Sequence, residues 1–292
     1  MSDAVLKRCG KFLSDGISKY LFSLNNKKFR THRFGKRTIY LQLIFVIYFF
    51  SVPSLFSQKA ATQTAFGVGE KLLFDVNYGI ITAGYAEMSI PSLEVVNDTT
   101  CYRIVFSVRS TPTFDFFFKV RDQYETYLDT AGIFSRRFEQ HVNEGKYHRN
   151  YKAVFDYSAH IARTDEGDFP ISSYVHDIMS AFYYTRTLNL STANPGDRFP
   201  MQNFMKGKVN PLAVKYIGKQ RVKVSAGTFD CLVVEPLVVE GGLFKSEGRI
   251  LIWLSDDERK IPVKVSTKII IGTIDAELRE YSGLRGTLTA KH

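Results

Sequence analysis

The 292 residues carry 39 Lys and Arg against 29 Asp and Glu, a formal net charge of +10. The excess is local: residues 1–57 hold ten of the cations with only Asp3 and Asp15, which leaves 29 basic against 27 acidic residues downstream. Nucleic-acid binding draws most of its affinity from a concentrated basic face, and that balance excludes nucleic acid as a partner.

Thr38 to Gln58 contains no charge. A cationic flank, an apolar stretch from Ile39 to Phe50, Pro53 and a small residue at Ser57 have the order of a secretory signal. The chain is therefore divided into a basic extension (1–35), a signal segment (36–57), a small polar linker (58–68), one β-rich domain (69–285) and a tail (286–292). The protein is expected to be periplasmic or exported, with cleavage near Ser57 and membrane contact through the signal segment alone. An uncleaved inner-membrane anchor over 38–57 is the alternative, since about 20 apolar residues can span a bilayer. Residues 1–35 are long for a signal lead, as an upstream start codon would make them. No Cys follows Ser57 closely, so no lipid anchor is expected.

Strand signals begin at Gly69. Lys71–Tyr78, Gly84–Ile90 and Cys101–Val108 are short β-branched and aromatic runs bounded by turn residues. Tyr102, Ile104, Phe106 and Val108 share one face, opposite Cys101, Arg103 and Ser107, as in a sheet with one buried side. Read with period two, Thr113–Asp129 places Phe114, Phe116, Phe118, Val120, Tyr124, Thr126 and Leu128 on one face with Asp122. A buried carboxylate there needs a partner, and a structural role at the sheet rim or beside an Arg is favoured for it. Since Phe116, Phe117 and Phe118 are consecutive, a strand must point one ring away from the other two. A double-sided core, a ligand-lined cavity and an interaction edge all satisfy that requirement.

Phe138–Asp156 reads as a hairpin turning through Asn143-Glu144-Gly145-Lys146, with a second turn at Asp165–Asp168. Ser173–Leu188 has helical spacing, with Val175, Ile178, Met179 and Phe182 on one face and Ser172 or Ser173 as N-cap. Strands resume at Leu212–Ile217, Arg221–Val224, Phe229–Glu235, Gly248–Leu254, Val263–Ile271 and Asp275–Tyr281. Phe118-Lys119 and Phe244-Lys245 each precede a strand, a turn, a basic pair and a Gly at matching offsets, so two related meanders could flank the helix. The fold class is mainly β, a large curved antiparallel sheet or half-barrel with one central helix.

The segments GEKLLFDVNYGIITAGYAEMSI (69–90), AGTFDCLVVEP (226–236) and WLSDDERKIPVKV (253–265) carry a resemblance to a family. Over about 70–283 the chain is similar to domain of unknown function 3108, which implies an exported, mainly β protein and supplies no catalytic residues. In strand order and central helix it also resembles, more loosely, periplasmic lipoprotein carriers whose half-barrel wraps a hydrophobic cavity.

No Gly-x-Ser-x-Gly elbow, CxxC pair, phosphate loop or zinc spacing is present, so neither an enzyme nor a metal or other cofactor is expected. Glu139, His141, Glu144 and His148 around the hairpin form one metal candidate, against which a solvated polar face is favoured. Cys101 and Cys231 permit one disulfide in an oxidising compartment, the alternative being two small buried side chains. The expected function is binding of an apolar small molecule or lipid, with Phe114, Phe116, Phe117, Phe118, Ile178, Met179, Phe182, Tyr183 and Trp253 lining the site. An assembly factor that binds an envelope protein through a sheet edge is the alternative. A hydrolase is a third, requiring Ser, His and carboxylate to meet in space. The oligomeric state stays open.

Overall fold

The computed structural model describes residues 63–171, 174–240, 243–245, 250–268 and 272–292. The expected extension and signal segment, residues 58–62 of the linker, and the Ser172 and Ser173 caps lie outside them. Among the described residues one antiparallel sheet holds fifteen strands. The first meander runs through β1 (Lys71–Tyr78), β2 (Ile81–Val96), β3 (Thr99–Ser110), β4 (Arg121–Asp129), β5 (Ser135–Glu144), β6 (Tyr147–Asp156), β7 (Ile161–Thr164) and β8 (Gly167–Pro170). The second runs through β9 (Arg198–Met205), β10 (Lys208–Val224), β11 (Gly227–Glu240), β13 (Ile250–Ser255), β14 (Pro262–Lys268) and β15 (Thr273–Ser282), with β12 (Leu243–Lys245) paired to β11. Within each meander consecutive strands pair as neighbours, β12 aside, and the β1–β15 pairing, with Val76 opposite Ala276, welds the two meanders into one surface.

The two ends of this curved sheet meet without a β8–β9 ladder. Phe155 of β6 and Phe169 of β8 both pack on Phe204 of β9, at 5.4 and 6.2 Å between ring centroids. The extended stretch 174–177 is laid between them. His176 forms a parallel bridge to Asn203, with His176 N donating to Gln202 O and Phe204 N to His176 O, both at 2.8 Å. On its other side Ser135 N donates to Val175 O.

These pairings explain why the helix α2 (Ile178–Thr187) starts later than the periodicity predicts. Val175 and His176 spend their backbone groups on β5 and β9, and tertiary pairing overrides a modest helical preference. Asp177 takes the cap instead, accepting from Met179 N at 2.7 Å and Ser180 N at 2.9 Å. The buried face is consequently Met179, Ser180, Tyr183 and Arg186, while Ile178 stays 42% exposed. After α2, Leu188 and Leu190 cover one face of the second meander, meeting Val214, Tyr216, Leu232, Val234 and Leu254. The alternate residues Cys231, Val233 and Trp253 belong to the main core, so β11 and β13 are buried on both sides.

A second correction concerns Thr113–Phe118. Thr111 caps a short helix, α1 (Pro112–Asp115), by accepting from Phe114 N, and Pro112 sits at its start. Proline's fixed φ and missing N–H suit that position and not a ladder. The strand begins only at Arg121. Within it Asp122, Tyr124, Thr126 and Leu128 do share the predicted face, opposite Val108, Phe106, Ile104 and Tyr102. β9 had no predicted counterpart, because Pro200, Gln202 and Asn203 mask its alternation; Pro200 is tolerated on this outermost strand.

The permitted disulfide is not made. Cys101 and Cys231 are free thiols on β3 and β11, with β2, β1, β15, β14 and β13 between them in sheet order. Cys101 packs with Val96 and Tyr127, Cys231 within the main core, and burial pushes their thiols up to about 11 and about 12.

Both ends of α2 are pinned to the first meander. At its start Thr126 Oγ1 of β4 donates to Asp177 Oδ2. Near its end Arg186 forms a two-pronged pair with Glu70, Nη1 to Oε1 at 2.6 Å and Nη2 to Oε2 at 2.7 Å, both side chains fully buried. The guanidinium also donates to Ala65 O and Arg259 O and lies 5.2 Å from the Phe66 ring centroid and 5.0 Å from that of Tyr183. Removing one partner strands a buried charge, a loss of about 3–5 kcal/mol. Arg186→Met and Glu70→Leu should each lower unfolding free energy by that order in urea titrations. The double variant Glu70→Leu/Arg186→Met should lose clearly less than the sum; additive losses would refute the coupling.

Candidate functional site

The helix-covered face of the first meander carries a band of rings running across its strands. Phe106 (β3), Tyr124 (β4), Phe138 (β5) and Tyr151 (β6) follow one another at centroid separations of 6.1, 6.5 and 6.4 Å. The register makes the band: Phe106 lies opposite Tyr124, Thr126 opposite Phe138, and Gln140 opposite Tyr151. The other face of the same strands holds polar pairs, including Arg103 Nε to Glu125 Oε2 at 2.8 Å and Gln123 Nε2 to Glu125 Oε1 at 2.7 Å.

Three polar side chains are set into this apolar wall. Asp122 Oδ1 accepts from Asn143 N at 2.9 Å, its Oδ2 has no hydrogen-bond partner, and the Glu144 carboxyl lies beside it. Both are buried, and burial raises the Asp122 pKa. Beside them the Tyr124 hydroxyl, on a residue only 2% exposed, has no hydrogen-bond partner. Burial first, then the negative charges of Asp122 and Glu144, push that phenol up. An unpartnered buried hydroxyl costs about 1–3 kcal/mol. Farther along, His176 Nδ1 and Asn203 Oδ1 are also without partners where α2 meets β9. Burial lowers the His176 pKa to about 4.

The nine expected lining residues do not converge on one site. Phe114, Phe116, Phe117 and Phe118 sit together at one end of the sheet, on and just after α1, with Phe114 buried and Phe116 86% exposed. Met179 and Tyr183 belong to the main core, Phe182 lies between both apolar clusters, and Ile178 faces outward. Trp253 lies on β13, donating to Gln220 Oε1 at 2.8 Å. The hairpin metal candidate is also dispersed: His141 Nδ1 meets Asn150 and His148 Nδ1 meets Asn143, while Glu139 pairs with Arg137 and Lys152. Glu144 turns to the opposite, buried side. Period two counted from Phe138 through Gln140 and Val142 would have found it, had the residue not been assigned to the turn.

The family model described as protein of unknown function DUF3108 matches residues 73–279. The chain belongs to that family. No curated protein matches it. In fold it is similar to a β-barrel-like DUF1849 protein from Brucella abortus, at 10% identity and a TM-score of 0.48 over 73% of this chain and 96% of that one. It is also similar to a protein described as a lipoprotein from Parabacteroides distasonis, at 11% identity and a TM-score of 0.35 over 77% and 100%. A protein described as exported, with a YmcC-like fold, from Bacteroides fragilis gives 10% identity and a TM-score of 0.36 over 75% and 100%. Among the described residues of this DUF3108 chain, no helix is long and apolar enough to cross a membrane.

The burial of Asp122 has a signature in stability. Burial raises the native Asp122 pKa above the unfolded value of about 4. The native state therefore holds the proton more tightly, and this contribution is full below pH about 4 and declines as pH rises through the native value. Asp122→Asn cannot ionise, keeps the acceptor for Asn143 N and offers an N–H to Glu144. It should gain stability relative to the parent between pH 4 and pH 8 in denaturant midpoints. A pH-independent difference would show that the Asp122 pKa is not raised in the native state. His176 acts in the opposite sense, losing its contribution as pH falls from about 6.5 towards about 4, and is common to both proteins.

Proposed function

We propose that this DUF3108 protein is a non-enzymatic, exported envelope protein that binds an apolar ligand, an acyl chain or similar lipid, against the inner wall of its curved sheet. The supporting observation is the Tyr124 hydroxyl, buried and unpartnered within the band Phe106–Tyr124–Phe138–Tyr151. Ligand sites are mostly apolar surface with a few convergent polar groups, and such a hydroxyl is what a ligand's polar end satisfies. The rings supply area and the Asp122–Glu144 pair a second polar contact beside them. Export is supported by the uncharged Thr38–Gln58 stretch behind its cationic flank.

Strand addition to an envelope protein has weaker support. The outer edge of β8 is four residues long and ends in Pro170, and residue 176 already bridges β9. For the hydrolase reading, among the described residues His141, His148, His160 and His292 are exposed and only His176 is buried.

Protein purified from the envelope should carry lipid detectable by mass spectrometry. Tyr124→Phe separates a ligand role from a structural one: it should leave the unfolding free energy unchanged or raise it, while co-purifying lipid falls several-fold. Repeated empty preparations of the parent, with no rise in melting temperature on adding fatty acid, would sink the proposal.

A further inference from the structure

One end of the sheet is shaped unlike the other. The register brings the β1–β2 turn, the α1 loop and the β5–β6 turn to the same end: Tyr78 pairs with Ile81, Gly84 with Ser110, and Val120 bridges Glu144. Two backbone bonds fix these loops side by side, Thr111 N to Ala83 O at 2.9 Å and Gly145 N to Lys119 O at 2.8 Å. Gly145 has φ 59°, and a Cβ there would stand 2.8 Å from the Phe118 ring, so this turn is closed by the α1 loop lying on it.

The tips of this lip are apolar. Ile80 is fully exposed and Phe116 86% exposed, with Ile81 also exposed and Phe117 packed edge-on against Phe116 at 5.2 Å. Such side chains normally avoid water, and contiguous exposed apolar tips mark interaction sites. Three exposed cations stand around them. Lys119 and Lys146 flank the α1 loop and the β5–β6 turn, and Arg109 lies at the end of β3. Of the described acids at this end, Asp115 is held by Arg121 at 2.6 Å and Asp275 by Lys264 at 3.0 Å, and Asp122 and Glu144 are buried. In the acidic turn Asp165–Asp168, beyond β6, Asp165 N is bonded back to Lys152 O and Glu166 is paired with Arg149 at 2.6 Å.

We propose that this lip docks the protein on an anionic lipid bilayer. Protruding Ile and Phe tips enter the headgroup boundary, where no matching hollow is required, and the flanking lysines meet the negative surface. A protein partner would need concave pockets for the same knobs. This docking site is separate from the apolar segment at 38–57 and does not depend on whether the inner wall carries a ligand.

A tryptophan placed at the tip reads contact locally, whatever else holds the chain to a vesicle. Phe116→Trp, in the full chain with buried Trp253 as a constant background, should be quenched by brominated acyl chains in phosphatidylglycerol vesicles. Leu93→Trp, toward the far end of β2, should not be. Quenching should fall several-fold in Lys119→Glu/Lys146→Glu and when salt is raised to about 1 M, where screening shortens to about 3 Å. Phe116→Trp left unquenched on anionic vesicles, or equal quenching at both positions, overturns the proposal. Loss of a cross-linked envelope protein in Phe116→Asp, with no vesicle quenching, would overturn it in favour of a protein partner.

Discussion

The Glu70–Arg186 pair is the constraint on which the arrangement depends. Two charges withdrawn from water are tolerated only with close geometry and all remaining donors satisfied. Here Arg186 meets both carboxylate oxygens and two backbone carbonyls, sandwiched near Phe66 and Tyr183. The carbonyls come from Ala65, ahead of β1, and Arg259, between β13 and β14. One helical residue thus ties together the N-terminal approach, the first meander and the second. Leucine at the same place would bury comparable area without specifying which three segments meet.

That specification matters because the sheet is not closed by backbone pairing. β8 and β9 are its two terminal strands, and rings at Phe155, Phe169 and Phe204 span the gap together with the strap 174–177. Aromatic contacts are less directional than a ladder, so curvature must be held elsewhere. Asp177 on Thr126 and Arg186 on Glu70 hold the rod at both ends, and the strap that precedes it is thereby held in register with Asn203. A cap residue buried this deeply would destabilise an isolated helix; its acid is accommodated because Thr126, Met179 and Ser180 all donate to it.

Much of this was legible in the sequence. β1 has the bounds that its alternation and turn residues predict, and the face shared by Tyr102, Ile104, Phe106 and Val108 follows from period two alone. The β5–β6 hairpin turns at Gly145 as its composition requires. Errors fell where two signals competed. Thr111-Pro112 is a helix start hidden by four phenylalanines that look like a strand. Val175 fits a helical stripe, yet its carbonyl is claimed by Ser135. The lining residues were chosen for hydrophobicity, which marks the core as readily as a site. The residues that distinguish this wall are instead polar and buried, and their burial depends on cross-strand neighbours more than 15 residues away in sequence, as Asp122 and Asn143 show.

The two ends of the sheet consequently have different physical characters. At the helix end a bidentate ion pair, two arginines and the core ring Phe66 knit segments remote in sequence, and opening one contact exposes a buried charge. At the lip the loops are short, their tips face water, and the polar groups behind them are two neighbouring buried acids and a phenol without a partner. Local opening draws on the regions with the fewest buried apolar contacts and the least satisfied polar groups. The seam between the α1 loop and the β5–β6 turn is therefore where this wall opens at least cost. There Phe118 rests on Gly145, and the Gly145 N–Lys119 O bond and the Val120–Glu144 bridge hold the turn to the α1 loop. Glu144 and Asp122 stand directly behind that seam, with Tyr124 and Tyr151 in the next row and Phe138 deeper still, so the polar groups of the wall gather at its lip.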